Sequence, residues 1–456
     1  MKNIGLIMLL FWSQLGRSQD TLYQLDLESF VVQVKENHPL SFIANNYILQ
    51  ADQFIVNSKG AFDPQALAQI NQKYFDGKTY YSTISTGVKI PTRFGVQFKG
   101  MVDWNRGDYL SPEDITPING LGLLGVELQL GRGLLTDEQR TQLKRAENAL
   151  LLSEVERNIA LNDLLYDAGV HFVAWQESYN QMLLAQNMAT FAKNRFEQIK
   201  ENVFAEDRPA IDTVEALAIY TQRLFELNQK TLLEQNSRLK VESYLWDQGL
   251  VPLFFDSLVN PTVLKIKEIT ISRAAALDET PFLQAYDFKL NDLNYERKLK
   301  IEMLKPQLSL NYNFLQDGEN PINSLSINNY KWGGTFYMPI FLRKERSSLE
   351  MTKLKIENTK YEQSLKQREL DIKQQQLFNE WSAHIVQSEQ LETIAESYKQ
   401  LVEGEQSLFE IGESTVFLIN MREINYINAQ MKLLETQAKT IKSYLSVRYL
   451  QGGFTR

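Results

Sequence analysis

Three histidines, His38, His171 and His384, and not one cysteine are what this chain offers to a metal or a nucleophile. The histidines fall on three separate helical stretches with no zinc-ligand spacing. The lack of cysteine excludes thiolate metal sites, disulfides and cysteine nucleophiles. Gly120-Leu121-Gly122-Leu123-Leu124-Gly125 matches the dinucleotide fingerprint by its letters. It follows a loop, precedes a strand pattern and lacks a βαβ setting, so its glycines read as packing devices in a sheet. Carboxylates are plentiful but none pairs in a catalytic frame. The expectation is therefore no catalytic, cofactor or metal site, and no enzyme. What remains are two charged segments at breaks between helices. One holds Asp212 and Glu215, three apart and on one helix face. The other holds Glu413, Asn420 and Arg422. Asp212 equally fits a cap or a dipole-facing position at a helix start, and both readings stay open.

The elements that must position these residues are long. Leu134 to Glu206 has no proline and one glycine, Gly169, with apolar residues at helical steps from Leu143 to Trp175. At ~1.5 Å per residue such a stretch makes roughly 105 Å of helix. From Pro339 onward the chain again has no proline. The net charge of −8 over 456 residues leaves no basic footprint for nucleic acid. Lys2, the apolar run Ile4 to Trp12 and Gly16-Arg17-Ser18 read as a signal peptide over residues 1–18, against the alternative of a short buried helix. No later stretch is apolar enough for a membrane helix, and no cysteine follows to carry a lipid anchor. An exported chain of this kind is either free of the membrane or crosses it as a β-barrel.

The chain then repeats itself. Residues 26–60 read as a helix, and 64–131 as four strands. The clearest two run Phe94, Val96, Phe98, Gly100, Val102, Trp104 and Leu124, Val126, Leu128, Leu130, each alternating with polar residues. A membrane barrel strand shows this pattern, and so does a soluble sheet with one wet face, which these strands alone fit at least as well. The long helix 134–206 ends before Pro209, and a third helix spans 212–246. Residues 247–280 form a connector. From Pro281 the order returns: a helix, Pro306-Gln307 echoing Pro64-Gln65, an alternating strand from Leu308 to Phe314, a polar loop from Gln316 to Asn329, then Trp332, Gly334, Phe336, Met338. A long helix over 342–403, breaks near Gly404 and Gly412, and a last helix to about Tyr449 complete it. The two repeats are thus 19–246 (hairpin region 64–131, long helices 134–246) and 281–456 (hairpin 306–340, long helices 342–449).

A hairpin alone is unstable, and two hairpins in one chain do not close a barrel. Several chains do, and closure removes every edge strand, while the helices pack on neighbours as coiled coils. In this order the chain resembles the TolC family of outer-membrane efflux proteins. The likeness rests on Asn37-His38-Pro39-Leu40, Pro306-Gln307-Leu308, Met338-Pro339-Ile340-Phe341, Asp212-Thr213-Val214-Glu215-Ala216 and the segment Gly412 to Asn420, and it covers nearly the whole mature chain. It implies a mainly α chain with membrane β, a homotrimer whose outer-membrane β-barrel continues as a periplasmic α-helical barrel. It implies a passive conduit in the bacterial outer membrane, contacting lipid and served by a periplasmic adaptor and an inner-membrane transporter. Asp212, Glu215, Glu413, Asn420 and Arg422 would then ring the periplasmic entrance, with acidic rings favouring cations and resisting closure. Arg422 would pair with an acid on a neighbouring helix and hold the mouth shut. Two departures stand out. The long first hairpin region leaves the strand count open, and Phe417 and Asn420 replace residues often acidic in the family. A soluble secreted coiled-coil scaffold or adaptor is the competing reading.

Overall fold

The computed structural model describes residues 23–206, 208–255, 259–262, 280–317 and 327–455. The signal-peptide segment 1–18, most of the connector and the middle of the 316–329 loop lie outside the described residues. The chain divides into two compact units. Each draws on both sequence repeats, and the two longest helices contribute residues to both units.

The first unit takes the described residues of Met1–Ala44, Asn158–Leu277 and Leu370–Arg456. Strand β1 (Tyr23–Leu25) pairs in parallel with β6 (Val259–Pro261), the short structure within the connector. Helix α1 (Leu27–Asn37) starts where Asp26 accepts from the Ser29 N–H at 2.8 Å, and buries Leu27, Phe30 and Val34 on one stripe. It stops at His38 because Pro39 disfavours helical backbone in the residue before it. The expected single helix is thus two, and α2 (Pro39–Gly60) begins at the proline. Helices α3 (Glu138–Phe204), α4 (Ala210–Glu242), α6 (Arg343–Glu410) and α7 (Val416–Leu450) supply the rest. The core gathers Phe30, Leu165, Phe172, Trp175, Val241 and Leu445. Gly169 has its reason here: a Cβ at this position would stand 3.2 Å from Cδ1 of Leu445. The buried Trp175 indole donates to Glu234 at 2.9 Å. His38 packs against the rings of Tyr244 and Trp246, and burial pushes its pKa down.

The second unit, Asn45–Arg157 and Asp278–Glu369, is built round a six-stranded antiparallel sheet in the order β2-β3-β4-β5-β7-β8. Its strands are β2 (Gln65–Phe75), β3 (Lys78–Pro91), β4 (Val96–Arg106), β5 (Leu121–Gln129), β7 (Gln307–Asp317) and β8 (Tyr330–Tyr337). The four strands expected in 64–131 are present. β5 pairs directly with β7, from Leu121↔Asp317 to Gln129↔Ser309, so the two repeats share one sheet. Asp76 and Gly77, with φ of 51° and 71°, make the two-residue turn from β2 to β3. β4 starts at Val96 rather than Phe94, because Gly95 (φ 78°) turns the chain and leaves Phe94 outside the ladder. Helix α5 (Pro281–Glu302) meets the start of α3 through Arg145, which binds Asp292 with two hydrogen bonds of 2.8 and 2.9 Å. Another expectation needs correcting. Gly404 does not break its helix, and α6 continues to Glu410. One glycine inside so long a helix costs only about 1 kcal/mol.

Candidate functional site

Register decides which sheet residues share a face. Gln69, Ser85, Asp103, Leu121 and Asp317 lie in one row across the sheet, and Asn71, Thr83 and Asn105 in the next. Gln97, Glu127, Asn311 and Gly333 form another row on this same face. The opposite face carries Ile84 beside Trp104, Val88 beside Gly100 beside Leu124 beside Phe314, and Phe98 beside Val126 beside Tyr312 beside Trp332. One face therefore carries most of the polar and charged residues, crossed by the apolar row Leu67, Gly87, Met101, Leu123 and Leu315, and the other is mainly apolar, with Arg106 at its end.

Some groups on the polar face pair with one another, while Gln97 Oε1 and Asn311 Oδ1 are buried without a partner. Lys99 pairs with Glu127, and the Ser85 hydroxyl donates to Asp103 at 2.5 Å. Glycines make room on it. A Cβ at Gly125 would overlap the Asn313 side chain, and one at Gly87 would overlap the backbone of β4. Gly120 has φ of 88° and lies against the Trp104 indole, while Gly122 and Gly125 are inside β5. The three glycines of the dinucleotide-like motif thus serve a sheet whose strands are all antiparallel. On the apolar face Ile70, Leu124, Phe98, Trp332 and Phe336 are 47 to 70 % exposed with nothing covering them.

The two charged breaks are treated differently. In the first unit the turn from α3 to α4 packs on the turn from α6 to α7. Ile199, Ala216, Phe409, Val416 and Ile419 form their common core. Thr415 caps α7, its hydroxyl accepting from the Leu418 N–H at 3.3 Å, and Gly412 (φ 83°) reverses the chain before it. Of the five sequence-predicted residues, Glu413 lies in the turn itself, Asp212 and Glu215 in the first two turns of α4, and Asn420 and Arg422 in the first two turns of α7. Asp212 sits in the first turn of α4 and pairs with Arg208 at 3.6 Å, whose guanidinium stacks 4.2 Å over the Phe409 ring. Arg422 pairs with Glu405 of α6 at 3.4 Å, and Glu405 also accepts from the Ser414 hydroxyl at 2.5 Å. Glu215 and Asn420 are half-buried, and Glu413 is exposed. The predicted residues share a neighbourhood, but Asp212 and Arg422 find their partners in Arg208 and Glu405, which sequence reasoning missed.

Deeper in the same unit Arg195 of α3 grips Glu423 of α7 with its two terminal guanidinium nitrogens, and both side chains are almost fully buried. A groove of about 560 Å³ runs beside them, lined by Met188, Phe191, Gln198, Val402 and Tyr426 among others. Around the turns Phe204, Ile211, Val214, Ile411 and Phe417 stand exposed.

Comparison with solved structures places this arrangement. The chain is similar to the MtrE outer membrane channel of Neisseria gonorrhoeae in its open state, at TM-score 0.70 and 12 % identity, over 94 % of this chain and 89 % of that one. It is similar to the CmeC outer membrane channel of Campylobacter jejuni, at 0.67 and 14 % identity, over 94 % and 85 %. The outer membrane protein VceC of Vibrio cholerae gives 0.66 and 12 % identity over 93 % and 96 %. The chain has the fold of an outer-membrane channel. No protein-family model matches it, and no curated protein matches it by sequence.

Proposed function

We propose that this protein is the outer-membrane channel of a tripartite export system, a homotrimeric passive conduit from periplasm to exterior without chemistry of its own. One observation carries the reading: on one face of the six-stranded sheet Ile70, Ile84, Val88, Phe98, Leu124, Trp332 and Phe336 stand exposed together, while Lys99, Asp103, Glu127 and Lys331 lie on the other. In water such a face is a large aggregation liability. In a bilayer it is the ordinary outside of a barrel, with its aromatic residues suited to the interfaces. The competing soluble scaffold reading has no use for that face. Tight turns at Asp76-Gly77 and Thr92–Gly95 and a longer loop between β4 and β5 fit a barrel equally well.

The paired helix turns are the natural periplasmic entrance, with Asp212, Glu215, Glu413, Asn420 and Arg422 around it. The exposed Phe204, Ile211, Val214, Ile411 and Phe417 offer an adaptor something apolar to grip. Energy comes from the inner-membrane transporter behind that adaptor.

The test is fractionation. The mature chain expressed with its own leader goes to the outer-membrane pellet and runs as a heat-modifiable oligomer, monomeric only after boiling. Recovery as a soluble periplasmic monomer overturns the reading.

A further inference from the structure

We propose that copies of this chain join through β2 of one and β8 of the next, so that all six strands of each enter the barrel and three copies close it with 18 strands. This rests on the trimeric channel reading above and adds where the seam lies and how wide the bore is.

The two sheet edges carry the argument. Every residue of β2 is exposed, and all but Gly333 of β8. Natural edge strands are blunted by charges, prolines or short length. Here β2 runs eleven residues with Lys73 as its one charge, β8 runs eight with Lys331 as its one charge, and neither contains proline. Such edges are built to be paired. Their directions also agree. Six strands alternate in sense, so the first and the last run opposite ways and meet as an ordinary antiparallel pair.

The faces agree as well. Gln65, Gln69 and Asn71 of β2 lie on the polar face, as do Lys331 and Thr335 of β8. On the apolar face β2 presents Ala66, Ala68 and Ile70, and β8 presents Trp332 and Phe336, which are 64 and 67 % exposed. Small side chains on one edge leave room for large ones on the other. A seam so made continues both faces unbroken round the ring.

The consequence is size. One hairpin per repeat would give three copies about 12 strands, whereas six strands a chain give 18. Barrel diameter grows roughly linearly with strand number, so the bore is about 1.5 times as wide, in the range where a barrel encloses an aqueous channel. The solutes it suits are hydrated and polar, matched to the Gln, Asn, Ser and Lys lining.

The absence of native cysteine makes the test clean. Two variants are oxidised in outer-membrane preparations and run without reductant after boiling: Gln69→Cys with Thr335→Cys, and Met101→Cys with Thr335→Cys. The first reports a β2–β8 seam, the second a β4–β8 seam that would leave β2 and β3 outside the barrel. Within one copy β2 and β8 stand five strand spacings apart along the sheet, about 24 Å, against the roughly 7 Å limit between Cα atoms for a disulfide. A bond must therefore join two copies. The expected result is that most of the first variant moves into covalent dimers and trimers, with none from the second or from single-cysteine controls. Lys73→Cys with Lys331→Cys repeats the test two rows further from the helices. Linked bands from the Met101 pair, or an intrachain bond in a monomer, overturn the proposal and leave the channel reading standing. No outer-membrane oligomer in the cysteine-free parent overturns both. End-on electron-microscope averages of that parent give an independent answer if a cysteine pair prevents assembly: a 12-strand diameter overturns the proposal.

Discussion

Trp332 on β8 and Ile419 on α7 are both large apolar side chains, yet one stands 64 % exposed and the other is fully buried. The difference extends to their surroundings. The sheet pairs Lys99 with Glu127 and Ser85 with Asp103 on one face and leaves much of its other face and both edges bare. The paired helix turns bury a shared core and direct their charges into intrachain pairs. A single copy therefore completes its helix turns and leaves its sheet unfinished. On the channel reading proposed above, lipid and neighbouring copies would cover the sheet, while the turns already hold a defined shape of their own.

The sharpest way to break that contrast is to damage the self-sufficient region. Arg195→Ala leaves the Glu423 carboxylate buried without its partner, which costs about 3–5 kcal/mol. The thermal midpoint of the detergent-purified protein should fall steeply, and Arg195→Met with Glu423→Leu should recover most of the loss. An unchanged midpoint in Arg195→Ala would show that the pair is solvated. Next comes the sheet. Leu124→Arg puts a charge at mid-height on the apolar face, where the bilayer penalty is about 2–4 kcal/mol. Asn71→Arg places the same charge on the polar face and should leave assembly intact. Heat-modifiable oligomer in the outer-membrane fraction reads both, and equal behaviour of the two would erase the distinction between faces. Smaller still is Thr415→Ala, which removes the α7 cap for about 1 kcal/mol. Thr415→Ser should restore it, judged by the same thermal midpoint.

Much of the sheet was legible because period two is written residue by residue: Val96, Phe98, Gly100, Val102 against Gln97, Lys99, Met101, Asp103 already separates the faces. Strand ends were less so. The exclusion of Phe94 depends on the positive φ of Gly95, and the apolar letter alone points the other way. Asp76-Gly77 was a readable hairpin turn that the pattern search passed over. The turns between long helices were legible from Pro209 and Gly412, whereas Gly404, read as a break, stays inside α6. Their ion pairs were not. Arg195 and Glu423 are 228 residues apart, and nothing in either neighbourhood names the other. Helical periodicity gives the buried stripe but not which helix lies against it. For the same reason Glu405 stayed hidden, one of several acids on a solvated helix until α7 packed beside it.

The smallest effect on stability falls on the turn proposed as the entrance. Arg422 and Glu405 meet at 3.4 Å with the arginine about a third exposed. A pair so placed contributes well under about 1 kcal/mol after solvent screening. Arg422→Glu should leave the thermal midpoint almost unmoved, yet it sets two carboxylates against each other where the Ser414 hydroxyl already holds one. Like-charge repulsion then favours separating α7 from α6 at the turn. If this turn is part of the entrance, single-channel conductance in planar bilayers should rise in Arg422→Glu and return toward the parent in Arg422→Glu with Glu405→Arg, which rebuilds the pair in reverse. Asp212→Asn, by releasing Arg208 from its carboxylate while the cation stays on the Phe409 ring, should shift conductance less. A conductance indifferent to all three would place the gate elsewhere and leave the turns a purely structural joint.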